Sequence, residues 1–276
     1  MTQMDEPTDQ ESTARPVDAA RGRPAAPRAP ASPRAPVPPR RFFPWAPPER
    51  GQPAREALSR DQIIDTAIRV LDAEGLDAVS MRRLGQELGA GATSLYWHIR
   101  SKDELLDLVL DRIIGEVVAE VAVRPDDWRG TAAETAWTFR RVLLRHRHVT
   151  PIMGARPTVG PNALRGLDTL IGVLVEDGFA PREAVLAANT IVNWAAGYAV
   201  FESRHPLGSD STAEQEAAYA RDFNEFLGSL PRDEYRWMIE LGPLMAECTA
   251  DIQFEYGLDR LLDGIALQQT GRTTAG

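Results

Sequence analysis

Beyond Ala54, apolar residues recur at the spacing of one helix face. Ile63, Ile64, Ala67, Val70 and Leu71 fall at i, i+1, i+4, i+7 and i+8, a single stripe on a helix of 3.6 residues per turn. Ser59-Arg60-Asp61-Gln62 precedes them as a capping box, in which Ser59 accepts from a first-turn amide and Gln62 reaches back. Gly75 supplies a left-handed stop. Ser80 opens a second, short helix through Leu88, which Gly89 ends, and a third runs from about Ala92 to Ile99. Ser101-Lys102-Asp103-Glu104 is a second capping box. It opens a long helix carrying Leu105, Leu106, Val109, Leu110, Ile113, Ile114 and Val117. Further helices are predicted at about 129–148, 161–177, 181–203, 212–228, 233–241 and 245–268. Pro161 and Pro181 sit at helix starts, where a missing N–H costs nothing. No alternating β-branched runs bounded by hairpin turns occur. The pattern predicts an all-α protein.

Composition separates a tail from this helical body. Of the 21 prolines, 13 precede Ala54, in a stretch rich in Ala and Arg and poor in large aliphatics. Residues 1–54 are expected to be disordered, because they cannot bury enough apolar surface to offset chain entropy. The 276 residues are 43% hydrophobic and 26% charged, with a net charge of −9. That total argues against coating nucleic acid or membrane by bulk charge, although residues 1–54 carry +2 and the acidity lies downstream. Lys102 is the only lysine; the other cationic side chains of fixed charge are arginines. One cysteine, Cys248, excludes an intramolecular disulfide and a cysteine-based zinc cluster. No run of 18 apolar residues argues for a membrane span. Arg40-Arg41 is followed by a segment too broken by proline to serve as a twin-arginine export signal. The expected location is the cytoplasm.

Residues 81–99 have the spacing of a DNA-reading helix-turn-helix. Gly85 is small where two helices must cross, Gly89 permits the positive φ of the turn, and Leu84, Leu88 and Leu95 are expected to point inward. Thr93, Ser94, Tyr96, Trp97 and His98 lie on or near the outward face, a mixture of donors, acceptors and aromatics suited to base edges and phosphates. Ile99 and part of Trp97 are expected in the core. Between Ser80 and Lys102 the local charge is +3, from Arg82, Arg83, Arg100 and Lys102 against Glu87. Arg82 can reach a phosphate or base edge, and Lys102 stands at a helix start that favours a phosphate.

These residues carry a resemblance. The stretch Ala78-Val79-Ser80-Met81-Arg82-Arg83-Leu84-Gly85-Gln86-Glu87-Leu88-Gly89, with Ser94-Leu95-Tyr96-Trp97-His98-Ile99 and Ser101-Lys102, resembles the DNA-binding domain of TetR-family repressors, close to the tetracycline-repressor branch. Phe139 to Arg145, Gly154-Ala155-Arg156-Pro157, Asp177-Gly178-Phe179 and Phe254 to Asp259 resemble that branch's C-terminal domain. The resemblance spans about residues 58–268 and implies a homodimeric one-component regulator of double-stranded DNA. Its implied domains are a helix-turn-helix head at 55–101, a connecting helix at 102–120 and a ligand-binding and dimerisation domain at 121–270. The positions matching the family's DNA contacts are Arg82, Thr93, Ser94, Tyr96, Trp97, His98 and Lys102. Thr93 stands where the tetracycline repressors have proline, so base preference does not carry over. A small-molecule effector in the core is implied to shift the connecting helix and change the separation of the two heads. A dimer reads half-sites about 34–36 Å apart, or a multiple, so a small shift breaks register.

The family's metal–drug site does not carry over. Val118 and Ile152 align with its two pocket histidines, Thr135 with its asparagine, Ala155 with its threonine, and Phe201 with the carboxylate that holds the metal's water. Only Phe139, Arg156 and Pro157 match, so neither a metal nor another cofactor is expected. The expected effector is apolar or aromatic, in a pocket of Trp137, Phe139, Ile152, Met153, Arg156, Trp194 and Tyr198, with Asn193 and Glu202 as polar anchors. The alternative is that these are core residues at helical spacing, or that Trp194-Ala195-Ala196-Gly197 belongs to an interface. Dimer contact is expected through helices at about 181–203 and 245–268, where Ala187, Ala188, Ala195 and Ala199 allow close approach. Arg21-Gly22-Arg23-Pro24 resembles the core of a minor-groove AT-hook, a run that a tail of this composition also yields by chance. His146 and His148 are expected on different helix faces at the surface. Repression is the leading function, and activation by the same fold remains open. A helical enzyme lacks support: no metal-spaced cluster, phosphate loop or nucleophile elbow is present. A helical scaffold that has lost DNA binding is opposed by the complete set of reading-head residues.

Overall fold

The computed structural model describes residues 58–156, 158–205 and 211–270. The proline-rich tail, its Arg21-Gly22-Arg23-Pro24 run and Pro157 lie outside the described residues. Among the described residues there are helices and no strands. The head comprises α1 (Arg60–Glu74), α2 (Met81–Glu87) and α3 (Ala92–Tyr96). α4 (Lys102–Glu120) runs from the head into the core. The core comprises α5 (Trp128–Arg145), the short α6 (Thr150–Met153), α7 (Pro161–Glu176), α8 (Pro181–Glu202), α9 (Ala213–Gly228), α10 (Arg232–Glu247) and α11 (Ala250–Thr270).

Local chemistry sets the helix starts. The Ser59 box forms in full: Gln62 N donates to Ser59 Oγ at 3.1 Å, and Ser59 N donates to Gln62 Oε1 at 2.8 Å. The box at Ser101 forms only half. Glu104 N donates to Ser101 Oγ at 3.0 Å, but the Glu104 carboxylate accepts from Arg100 N and from the Arg60 guanidinium on α1 at 2.7 Å. Glu104 therefore ties α4 to α1 rather than closing its own cap. Gly75 ends α1 at φ +84° and ψ 176°, an extended corner and not the left-handed helical cap expected. Gly89 takes φ +63°. Gly85 makes the helix-turn-helix crossing possible, since a Cβ there would stand 2.7 Å from the Ala90 carbonyl oxygen.

Several boundaries differ from the pattern. α3 stops at Tyr96, with His98 N and Ile99 N both donating to Leu95 O, so Ile99 is buried from a turn rather than from the helix. α5 stops at Arg145, and a 3-10 turn over Arg147–Val149 leads into α6. α10 continues past residue 241 to Glu247, through Pro243. α11 begins at Ala250, not 245, because Cys248 leaves the helical basin at ψ 77°.

One core runs from the head through α4 into the bundle. Ile63, Leu71, Leu84, Leu95, Ile99 and Leu105 close the head, and Ile113, Phe139, Leu143, Leu174, Ile191 and Phe254 continue it. α5 lies along α8, and α7 packs on both α4 and α8. α8 is long and apolar enough to cross a membrane by length and composition. Here its Ala184, Ala188, Ile191, Ala195 and Ala199 face the protein interior. Ala187, Ala188, Ala195 and Ala199, expected at a dimer contact, are thus buried within the protomer. His146 is buried as well, at 7% exposure, rather than at the surface. Its Nδ1 faces Asp72 of α1 at 2.9 Å and its Nε2 faces Glu116 of α4 at 3.1 Å.

Gly85→Ala is expected to destabilise the protein by about 1–3 kcal/mol, because the Ala90 carbonyl must give way to the new methyl group. Chemical denaturation measures it; an unchanged midpoint would show that the crossing has slack.

Candidate nucleic-acid interface and ligand cavity

The turn and α3 present a polar and aromatic face. Thr93, Ser94, Tyr96 and Trp97 are exposed, and His98 is half-buried. Trp97 is 87% exposed, so the expectation that part of it joins the core is wrong. Leu95, between Ser94 and Tyr96, is fully buried and anchors the face. A large indole left in water on a helix otherwise fixed from behind signals a contact surface.

Ion pairing sorts the cations around this face. Arg83 is bound to Glu74 at 2.6 Å and Glu87 at 2.7 Å, and these two carboxylates hold its pKa above the ordinary value. Its charge is spent inside the head. Arg82, Arg100 and Lys102 are exposed and make no ion pair among the described residues. Most arginines of the core carry carboxylate partners, as Arg112, Arg129, Arg140, Arg141, Arg145 and Arg156 do. Arg100 was not among the expected contacts; its place two residues before Lys102, inside the locally cationic stretch, was the available signal.

A cavity of about 210 Å³ lies between α4, α5, α7 and α8. α4 contributes Ile114, Val117 and Val118; α5 contributes Thr131, Thr135 and Phe139. α7 contributes Ala163, Gly166, Leu167 and Leu170, and α8 contributes Asn189, Val192, Asn193 and Ala196. Among the described residues no ionisable side chain lines it. Thr135 Oγ1 donates to the Thr131 carbonyl at 2.7 Å, which leaves its oxygen lone pairs toward any donor on a ligand. Of the expected lining, Phe139, Met153 and Asn193 are present. Ile152 is buried in the core without reaching the cavity. Sequence reasoning missed the α7 contribution and, apart from Asn193, that of α8. Residues 163, 166, 167 and 170, and again 189, 192, 193 and 196, repeat the i, i+3, i+4, i+7 spacing of one face.

The remaining expected pocket residues form two other structures. Trp137, Trp194 and Tyr198 gather around Phe254 of α11, with ring centroids 4.5, 4.8 and 5.1 Å away. Gly257 makes room for Trp194, since a Cβ would stand 2.7 Å from its ring. The buried Arg140 guanidinium lies 4.9 Å from the Phe254 centroid and binds Glu202 through two bonds of 2.7 Å. Burial works against its charge, and the Glu202 and Asp251 carboxylates outweigh burial and raise its pKa. Glu202 is thus a structural partner, not a ligand anchor. Arg156 binds Asp107 and, at 3.0 Å, Asp103, which fastens the loop after α6 to the start of α4.

A helix-turn-helix head with free cations, joined by one helix to a bundle with an uncharged cavity, is the architecture of a ligand-responsive DNA-binding regulator. Comparison with known proteins agrees. Residues 63–109 match the family model for bacterial regulatory proteins, tetR family, and residues 123–269 match that for the tetracyclin repressor-like C-terminal domain. An HTH-type transcriptional regulator of Saccharopolyspora erythraea is 35% identical over 198 residues, which are 70% of this chain and 84% of that protein. The HTH-type transcriptional repressor DrrR1 of Streptomyces coeruleorubidus is 30% identical over 224 residues, 79% of this chain and 80% of that one. The structure of the Streptomyces coelicolor TetR family protein ActR in complex with actinorhodin superposes with a TM-score of 0.66 at 34% identity, covering 76% of this chain and 95% of that one. The chain belongs to the TetR family. It is a transcriptional regulator and not an enzyme.

Arg82→Ala and Lys102→Ala are each expected to lower the slope of log affinity against log salt by about 1 on a cognate duplex. Arg83→Ala should leave that slope unchanged, because its charge is already neutralised. Trp97→Ala should weaken the duplex while moving folding stability by less than about 0.5 kcal/mol. Titrations at several salt concentrations, with thermal melts alongside, separate these outcomes.

Proposed function

We propose that the chain is a cytoplasmic homodimeric repressor that binds a palindromic operator through Arg82, Thr93, Ser94, Tyr96, Trp97, His98, Arg100 and Lys102. An uncharged, largely apolar effector in the α4–α5–α7–α8 cavity releases it. The observation that carries the effector class is the lining itself: aliphatic and aromatic walls, threonine and asparagine as the polar groups, and no ion to match a charged ligand. A charged effector would lose hydration there without a partner.

Dimerisation is supported by apolar side chains left in water. On α8 these are Val185, Leu186 and Phe201; on α11 they are Ile252, Tyr256 and Leu267. The α9–α10 hairpin adds exposed Phe226, Trp237, Leu241 and Leu244. Exposed apolar area of this extent marks a contact surface, and a two-fold axis through α8 and α11 would place the two heads for a palindrome. Asn189 and Asn193 line the cavity from the same helix and are exposed in the single chain. A second copy would therefore stand near the cavity mouth.

1,4-Naphthoquinone, an uncharged aromatic, is the first effector probe. At a hundred times its dissociation constant a true effector adds about 2.7 kcal/mol, or roughly 5–10 °C in melting temperature for a core of this size. Leu167→Trp, which fills the cavity from α7, should remove that shift and leave duplex binding in place. Light scattering should return the mass of two chains; a single-chain mass at micromolar concentration would overturn the dimer.

A further inference from the structure

The first turn of α7 is capped by another helix. α7 opens with Gly160-Pro161, and Gly160 has no side chain to accept from the first-turn amides. Asp111, in the middle of α4, does so in its place. Asn162 N donates to its carboxylate at 3.1 Å and Ala163 N at 3.2 Å. The Asn162 side-chain amide donates to the Asp111 carboxylate and to its backbone carbonyl, both at 3.1 Å. Asp111 is 7% exposed and makes no ion pair among the described residues. Burial pushes its carboxyl above the usual carboxylate range, and the donors from Ala163 and Asn162 act against that shift.

Both helices are shaped around this contact. A Cβ at Gly160 would stand 2.1 Å from Asp111 Oδ1. A Cβ at Gly115, one turn along α4, would stand 2.9 Å from Asn162 Nδ2. One turn further again, Val118 reaches Gly166, and here both line the cavity. α4 is also held to the head: Arg112 binds Asp61 and Asp65 of α1, and Glu104 binds Arg60.

We propose that Asp111 is the positioning group that couples the cavity to the DNA-reading head, because the cap of α7 stands on α4 and the two helices keep their hydrogen bonds only by moving together. This rests on the ligand-responsive regulator proposed above. An effector that wedges between Val117–Val118 and Gly166–Leu170 moves α7, and Asp111 passes the displacement to α4. An ordinary local cap at residue 160 would stabilise α7 equally well and transmit nothing.

Coupling between sites is reciprocal, so operator DNA must be felt at α7 without any effector present. The experiment uses the full chain and a duplex recovered from random sequence by the wild-type protein. Hydrogen exchange is followed at residues 162–164, with and without that duplex. In the wild type, duplex binding should change exchange there by about fivefold or more. Asp111→Ala should still bind the duplex and lose that change. The decisive variant is Asp111→Gly with Gly160→Asp, which moves the cap onto α7 itself and removes the Asp111 Cβ that a Cβ at residue 160 would meet at 2.6 Å. It should restore the melting temperature and first-turn protection, yet leave exchange at residues 162–164 indifferent to DNA. It also keeps the test available where Asp111→Ala alone does not fold. A DNA-dependent change that survives in the double variant overturns the proposal, as does its absence from the wild type bound to its duplex. A chain that selects no duplex overturns the regulator reading as well, so the two failures are distinct.

Discussion

Arg112 reaches from the middle of α4 to two carboxylates of α1, and Glu104 reaches back from the start of α4 to Arg60. His146 closes the same seam from the end of α5, between Asp72 and Glu116. This seam of charge fixes the angle at which the head leaves the core, and everything the protein does with DNA depends on that angle. Single surface ion pairs contribute little to stability. Several pairs converging on one helix do something different, since they define the direction of a rigid rod. α4 is that rod: its first residue is a candidate phosphate contact and its last two turns line the cavity.

The net charge of −9 acquires its meaning from this pairing. Many of the acidic residues are partners for arginines of α1, α4, α5 and α11, while Arg82, Arg100 and Lys102 at the reading face make no ion pair among the described residues. An acidic body with a few free cations discourages non-specific attachment to DNA and keeps affinity dependent on placed contacts.

The head was legible in the sequence because its signals are local. Ser59, Ser80, Gly85 and Gly89 each act within a few residues, and the structure uses each as its chemistry implies. The cavity was not, because its walls come from four helices whose mutual rotation no local pattern encodes. Large aromatics drew the expectation toward Trp137, Trp194 and Tyr198, which instead pack around Phe254, with Arg140 over the Trp137 and Tyr198 rings. Apart from Phe139, Met153 and Asn193, the residues that line the space are small, aliphatic or short polar side chains that carry only their helical spacing as a signal. His146 failed for the same reason, since both of its partners lie far away in the chain. Glu104 shows the two scales in conflict: a local box predicted one bond, and a tertiary partner took the carboxylate.

Lys102 carries the chain's only ε-amine, and it stands exposed on the first turn of α4. Acylation of a lysine side chain removes its charge. A lysine acyltransferase, or an amine-reactive dye, therefore meets a protein with one side-chain address, and that address is on the candidate reading face. An arginine-rich body makes the reading head chemically singular: it can be labelled, or silenced, without touching the core.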